Sequence, residues 1–246
     1  MKSLRCALFV AVLFPWIARA GVRCDFRTVI SSPSYSYAGT LMLDGDQSRV
    51  DFTAGEHPIF NPHTSVITRK GGAEIVIIDH VRRTWFRRTS KGLGGHLSTS
   101  RGITPATTAT DAVVKSERNG DQHHVHVSYA ITTEVEGEKL PATIELDVLS
   151  DLASPIHDRQ RAFPWGLQFG AKTGFDAIDK VIAKHMPSLL PVRQVVTASR
   201  QLQGGPVVSE TITTTLSNVT DAPIPANVFY PPPGYRFEAP VFQFGE

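Results

Sequence analysis

Residues 125–149 read VHVSYAITTEVEGEKLPATIELDVL, and this stretch decides the fold class. Its apolar residues recur at every second position on both sides of a Glu136-Gly137 turn, which is the period of a strand with one buried face. Two such runs joined by a short glycine-containing turn predict an antiparallel hairpin. The residues on its apolar side are Val125, Val127, Tyr129, Ile131, Ile144, Leu146 and Val148.

The same alternation extends in both directions along the chain. Hairpins are predicted around Asp44-Gly45-Asp46, Lys70-Gly71-Gly72 and Asn119-Gly120, and paired strands are predicted over residues 193–203 and 207–219. Residues 75–78 are apolar at both parities, so we expect that strand to be covered on both faces. The sequence therefore predicts a mainly β (α+β) protein with a large antiparallel sheet and no internal domain boundary.

One helix interrupts the strands. Thr173 and Asp176 have the spacing of a capping box, and Phe175, Ile178, Val181, Ile182 and Met186 follow at helical spacing until Pro187 ends the run. We expect this apolar stripe to pack on the sheet. Residues 89–111 are rich in Ser, Thr, Gly and Ala, and predict a long mobile loop or a poorly packed short helix.

Composition places the chain among ordinary globular proteins. It has 246 residues, 41% of them hydrophobic and 20% charged, with 25 Lys and Arg against 23 Asp and Glu. Three of the basic residues (Lys2, Arg5 and Arg19) lie in the first 20 positions, so residues 21–246 carry 22 basic against 23 acidic groups. We therefore expect no nucleic-acid partner, because the bulk charge does not attract a polyanion.

The N-terminus predicts a signal peptide over residues 1–20. Lys2 and Arg5 accompany an apolar run over residues 6–17, and Ala18-Arg19-Ala20 matches the small-x-small pattern before a cleavage site. The run is shorter than the roughly 20 residues of a membrane span. We expect residues 21–246 to form one exported domain, periplasmic or secreted, with no transmembrane segment.

The two cysteines predict no intramolecular disulfide. Cys6 leaves with the predicted signal peptide, so Cys24 has no partner in the same chain. We expect Cys24 to be a small buried residue on the first strand. A redox thiol or an intermolecular disulfide is the alternative.

Three short motifs accompany this order of elements. They are Asp-Gly-Asp … Arg-x-Asp over residues 44–51, Ile-Ile-Asp-His over residues 77–80, and a tail with Ile224-Pro225, Phe229 and Pro-Pro-Pro-Gly-Tyr over residues 231–235. Together they resemble the lipoprotein-carrier superfamily of LolA, LolB and the sensor domain RseB, especially its uncharacterised exported bacterial relatives. The resemblance implies a curved antiparallel sheet or half-open β-barrel wrapped around a helical plug, with an apolar cavity between them.

The function that the resemblance implies is binding without catalysis or cofactor. In the carriers the cavity holds lipoprotein acyl chains, and burying an acyl chain gains roughly 0.8 kcal/mol per CH₂. The partner would be a lipid or a lipidated protein. The alternative is an envelope interaction or sensor module with a filled core, which binds another protein through an edge strand or the aromatic tail. The candidate cavity residues are Tyr129, Ile131, Ile144, Leu146, Val148, Phe175, Ile178 and Ile182.

Polar clusters offer weaker signals. His124 and His126 share one strand face about 7 Å apart, a spacing that suits Zn²⁺ or Cu²⁺ if a neighbouring strand supplies a third ligand. They oppose Val125 and Val127, however, so we expect both imidazoles in solvent and no metal site. Four arginines (Arg82, Arg83, Arg87 and Arg88) predict a solvated strand face, with a basic rim for a headgroup or an acidic partner as the alternative. No nucleophile, zinc-protease or phosphate-loop motif is present, so we predict no catalytic residue.

Overall fold

The fold is a twelve-stranded sheet. The computed structural model describes residues 20–31, 34–57, 60–89, 106–135, 138–154, 176–185, 191–201 and 205–239. The strands are β1 (Ala20–Ser31), β2 (Ser34–Asp44), β3 (Gln47–Gly55), β4 (Thr64–Arg69), β5 (Glu74–Asp79), β6 (Thr84–Thr89), β7 (Ala106–Asn119), β8 (Gln122–Val135), β9 (Glu138–Asp151), β10 (Arg193–Gln201), β11 (Val207–Pro223) and β12 (Arg236–Phe237). The helix α1 is Asp176–His185.

The strand order is β12-β6-β5-β4-β3-β2-β1-β11-β10-β9-β8-β7. All neighbours pair antiparallel except β12, which pairs parallel with β6. Most pairs are sequential hairpins, and the long-range pair β1–β11 joins the two halves. The mainly β, antiparallel prediction is therefore confirmed.

The described strands do not close into a barrel. β7 and β12 are the two ends of the sheet and do not pair with each other. The helix α1 packs beside β7, and no helical plug across the sheet is shown in the described residues. None of the described helices is both long and apolar enough to cross a membrane.

The predicted hairpins form where their turn residues allow a left-handed backbone. Gly45, Gly71 and Gly120 have φ of 58°, 63° and 59° in the three turns. These angles suit glycine because it has no Cβ. β7 begins at Ala106, earlier than the strand start at 112 that the sequence predicts, so residues 106–111 of the predicted loop are strand. Residues 90–105 of the predicted loop lie outside the described residues. So do residues 1–19 of the predicted signal peptide.

Each half of the sheet has an apolar cluster on the same face, here called the inner face. The first cluster includes Cys24, Phe26, Tyr37, Leu41 and Val50 on β1–β3. The second includes Val125, Val127, Leu146 and Val148 on β8 and β9, with Ile178 of α1 against them. Buried polar residues lie between the clusters: Thr28, Thr214 and Gln194 are neighbours in register on β1, β11 and β10. We call this row the polar seam.

The opposite, outer face is covered over β4 and β5. All four apolar residues of β5 are buried: Ile75, Val76, Ile77 and Ile78. This is expected of a strand that is apolar at both its odd and its even positions. The cover is the C-terminal segment, residues 224–238, here called the strap. Its Phe229 packs with Ile67, Val76 and Ile78 in a third apolar cluster, and Arg236 and Phe237 add β12 to the edge of β6. The strap therefore gives β5 its second buried face.

Candidate functional site

Most of the predicted cavity residues meet in one cluster of the inner face. Tyr129, Leu146, Val148 and Ile178 are 7%, 4%, 0% and 4% exposed. Ile131 and Ile144 are partly buried and pack against them. Phe175 and the side chain of Ile182 lie outside the described residues. The alternation brought these residues together because strand parity assigns each side chain to a face.

On β10 and β11, side chains of the inner face become more exposed with distance from the polar seam. At the polar seam, Thr28 and Thr214 are 0% and 1% exposed, and their hydroxyl oxygens are 2.8 Å apart. Two residues beyond the seam, Val196 of β10 and Ile212 of β11 are only partly buried, whereas Ile30 of β1 stays 1% exposed. We call the partly buried apolar residues here the open end of the inner face: Tyr35, Ile131, Ile144, Val196 and Ile212.

Register explains how the open end is assembled. Ile212 of β11 lies opposite Val196 of β10, and Val196 lies opposite Leu146 of β9. One rung further out, Ala198 faces Ile144 and Glu210, and Glu210 is exposed. An apolar strip therefore runs across adjacent strands and ends at a polar rim. Such a strip can bind an apolar chain and leave a polar group in water.

A second set of residues, absent from the predicted site, forms a polar network on the outer face. Arg49 Nε donates to Asp51 Oδ1 at 2.7 Å, Arg49 also donates to Ser65 Oγ at 3.1 Å, and the Ser65 hydroxyl donates to the same Asp51 oxygen. Ser65 Oγ lies 2.6 Å from His80 Nε2, and His80 Nδ1 lies 3.0 Å from the Tyr235 hydroxyl. Arg49 also reaches the Val228 carbonyl of the strap at 2.8 Å.

The directions of the hydrogen bonds in this network follow from the Ser65–Asp51 contact. Since the Ser65 hydroxyl donates to Asp51, Ser65 Oγ accepts the Nε2–H of His80. In the neutral imidazole, Nδ1 then accepts the Tyr235 O–H. Burial, and then the positive charge of Arg49, lower the pKa of His80 below its ordinary 6.5, against the opposite effect of Asp51 and Asp79.

The network does not have the arrangement of a hydrolytic site. Ser65 is 0% exposed and its hydroxyl points to a carboxylate, so no substrate reaches Oγ. The network instead joins the strap to β3 and β4. All three motifs that suggested the family resemblance meet here, through Arg49 and Asp51, through His80, and through Tyr235. That convergence is the signal by which the sequence could have found the network.

The two predicted strand histidines lie on the outer face, as expected. His124 and His126 are 52% and 33% exposed, and the neighbouring strand places Asp147 between them. Asp147 Oδ1 is 2.8 Å from His126 Nδ1 and 3.6 Å from His124 Nε2. Within the described ranges, however, no group of three or more His, Cys, Asp or Glu side chains is arranged to hold a metal ion.

Of the remaining predicted groups, Cys24 lies where the sequence predicts it, whereas the arginines do not form one strand face. Cys24 is 1% exposed on β1, and burial, then the charge of Asp25, raise its pKa to about 12, which keeps it a thiol. The predicted solvated strand face of four arginines is wrong: Arg82 and Arg83 lie in the turn before β6, and Arg88 is half-buried on the face opposite to Arg87. Arg82 and Arg87 are exposed and lie within 4 Å of Asp79 and Glu74, respectively. The tail aromatic Phe237 contacts Trp85, with ring centroids 4.8 Å apart, whereas Phe242 and Phe244 lie outside the described residues.

Comparison with known proteins assigns no family. No family model matches the chain, and no curated protein matches it. One solved structure with some likeness is described as "Structure of PNGF-II in C2 space group", with a TM-score of 0.39 and 9% sequence identity. The alignment covers 89% of this chain and 31% of that chain, so this chain spans less than a third of that protein's length. A likeness at this level supports no conclusion about fold or function.

Proposed function

We propose that this chain is an exported, non-catalytic binding protein that holds a lipid, or the acyl chain of a lipidated partner, on the inner face of the sheet. The observation that carries the proposal is the open end, where apolar side chains of adjacent strands are partly exposed beside a fully buried core. Partly exposed apolar area of this kind is stabilised when an acyl chain covers it.

The proposal also takes up the resemblance to the lipoprotein-carrier superfamily. The features that the described chain shares with such a carrier are its long sequential hairpins and an apolar inner face with a helix against it. Under this proposal Ile144, Val196 and Ile212 contact the acyl chain. The polar seam would limit how deeply the chain enters, because Thr28 and Thr214 already satisfy each other.

A fatty-acid displacement assay with two matched variants tests the proposal. Val195 and Val196 are neighbours on β10, both partly buried, and face opposite sides of the sheet. Val196→Trp fills the open end and should displace two or more methylenes of the ligand, which weakens binding by about tenfold. Val195→Trp adds the same ring to the outer face and should leave the affinity unchanged. Equal affinities in all three proteins would overturn the proposal.

A second candidate function is an interaction module whose core is filled by its own side chains. The observation that favours it is the complete burial of Val125, Val127 and Val148, which leaves no access to that part of the inner face. In this case the strap offers the contact surface, since Tyr230 and Phe237 are 51% and 53% exposed. A wild-type protein that takes up no fatty acid but retains a protein partner through these two residues would support it.

A further inference from the structure

The edge strand β7 is free on one side in the described part of the chain. It is 14 residues long and pairs with β8 over nearly its whole length. At the other end of the sheet, the strap adds β12 to β6, whereas no described strand pairs with the second edge of β7. The helix α1 packs near β7, and its Ile178 belongs to the inner-face cluster that Ala112 and Val114 also join.

The C-terminal half of β7, residues 113–119, is a regular strand with exposed side chains. The register shift between Thr110 and Val113 lies near its middle, and residues 113–119 pair with β8 without interruption. Val113 is 55% exposed, and Lys115 and Glu117 are exposed on the outer face opposite His126 and His124. Charged side chains on an edge strand normally discourage pairing with other strands.

The order of these charges makes the edge complementary to itself. When two antiparallel copies of residues 113–119 are centred on Ser116, Lys115 lies opposite position 117 of the other copy. Lys115 therefore faces a glutamate, and by symmetry Glu117 faces a lysine, so the register contains two favourable cross-strand pairs. A register centred on Lys115 would place two lysines opposite each other and is disfavoured.

We propose that two copies of this chain associate by antiparallel pairing of their β7 strands around a two-fold axis at Ser116. The backbone groups along the free edge supply the hydrogen bonds, and Lys115 pairs with Glu117 of the partner subunit. A two-fold contact of this kind is isologous, so it closes at two copies and forms no fibre. The inference concerns a surface separate from the inner face and is independent of the proposed ligand.

Charge reversal tests the register. Sedimentation equilibrium of the wild type should show a monomer–dimer equilibrium. Lys115→Glu, or Glu117→Lys, places like charges opposite each other and should weaken dimerisation by about tenfold or more. The double variant Lys115→Glu/Glu117→Lys exchanges the charges and should restore the wild-type dissociation constant. A wild type that stays monomeric at the highest soluble concentration, or a double variant as weak as the single variants, would overturn the inference.

Crosslinking tests the position of the axis. In the proposed register Ser116 faces itself at a Cα separation that a disulfide can span, whereas Asn119 faces Val113 of the partner subunit. Ser116→Cys should therefore form a covalent dimer with oxidised glutathione, and Asn119→Cys should form little. Cys24 is buried and adds no background. Equal crosslinking of the two variants would contradict a two-fold axis at Ser116, whichever ligand the inner face binds.

Discussion

His80 illustrates how one side chain joins distant parts of this chain. Its two ring nitrogens contact Ser65 of β4 and Tyr235 of the strap, 15 and 155 residues away in sequence. In the sequence, His80 stands out only as the last residue of the Ile-Ile-Asp-His motif over residues 77–80. Which groups surround the imidazole depends on the path of the strap, and no local pattern contains that information.

The lowered pKa of His80 predicts a loss of stability in acid. Well above pH 6.5 the imidazole is neutral in both the folded and the unfolded chain, so its titration does not change the stability. As the pH falls below 6.5, the unfolded chain binds the proton more readily than the folded chain, and the free energy of unfolding decreases down to the folded pKa.

Urea unfolding of wild type and His80→Gln checks this prediction. Between about pH 7.5 and about pH 5, the free energy of unfolding of the wild type should fall more steeply than that of the variant, since glutamine does not titrate. The other titratable groups are common to both proteins and cancel in the comparison. Parallel pH profiles would show that His80 takes up its proton equally well in both states.

The strap is the element whose position was least accessible to sequence reasoning. Its Ile224 lies over Gly21, where a Cβ would come within 2.6 Å of the Leu43 carbonyl oxygen and clash with the Ile224 side chain. It then crosses the outer face as far as β6, which it joins as β12. The two-parity run at residues 75–78 predicted a covered strand, but not that the cover comes from the far end of the chain.

Phe229 is the apolar anchor of the strap. It is 1% exposed and packs against Ile67, Val76 and Ile78. Phe229→Ala removes the ring and leaves a cavity among these side chains, so it should lower the free energy of unfolding by about 3–5 kcal/mol. The neighbouring Tyr230 is 51% exposed, so Tyr230→Ala should cost less than about 1 kcal/mol and serves as the control. Chemical denaturation measures both; equal losses would mean that the strap is not anchored at Phe229.

Hairpins were predictable from the sequence because each depends on neighbouring residues. The β8–β9 pair aligns Tyr129 with Ile144 and Val127 with Leu146, as alternation and the Glu136-Gly137 turn require. The pairing of β1 with β11 joins residues nearly 200 positions apart, for example Arg23 with Thr220, and neither strand specifies the other. The buried polar seam between the two halves was missed for the same reason, since Thr28, Thr214 and Gln194 become neighbours only through that pairing.

At the scale of the whole molecule, the two faces of the sheet have different roles. The outer face is closed over β4 and β5 by the strap and its polar network, which stabilise the half that contains β3–β6. The inner face carries two apolar clusters and the partly exposed open end. Strand parity predicted which residues would share the inner face, but how far water reaches along it depends on the whole sheet. Ligand binding is therefore a property to be measured on the intact chain.

Native mass spectrometry of the gently purified protein, paired with lipid extraction, tests whether the inner face binds a lipid. If the proposed function is right, a lipid or acyl chain co-purifies at near-stoichiometric level, or is taken up when the protein is incubated with lipid. An unliganded mass that persists after that incubation would mean that the inner face is filled by its own side chains, and it would contradict a role in lipid binding.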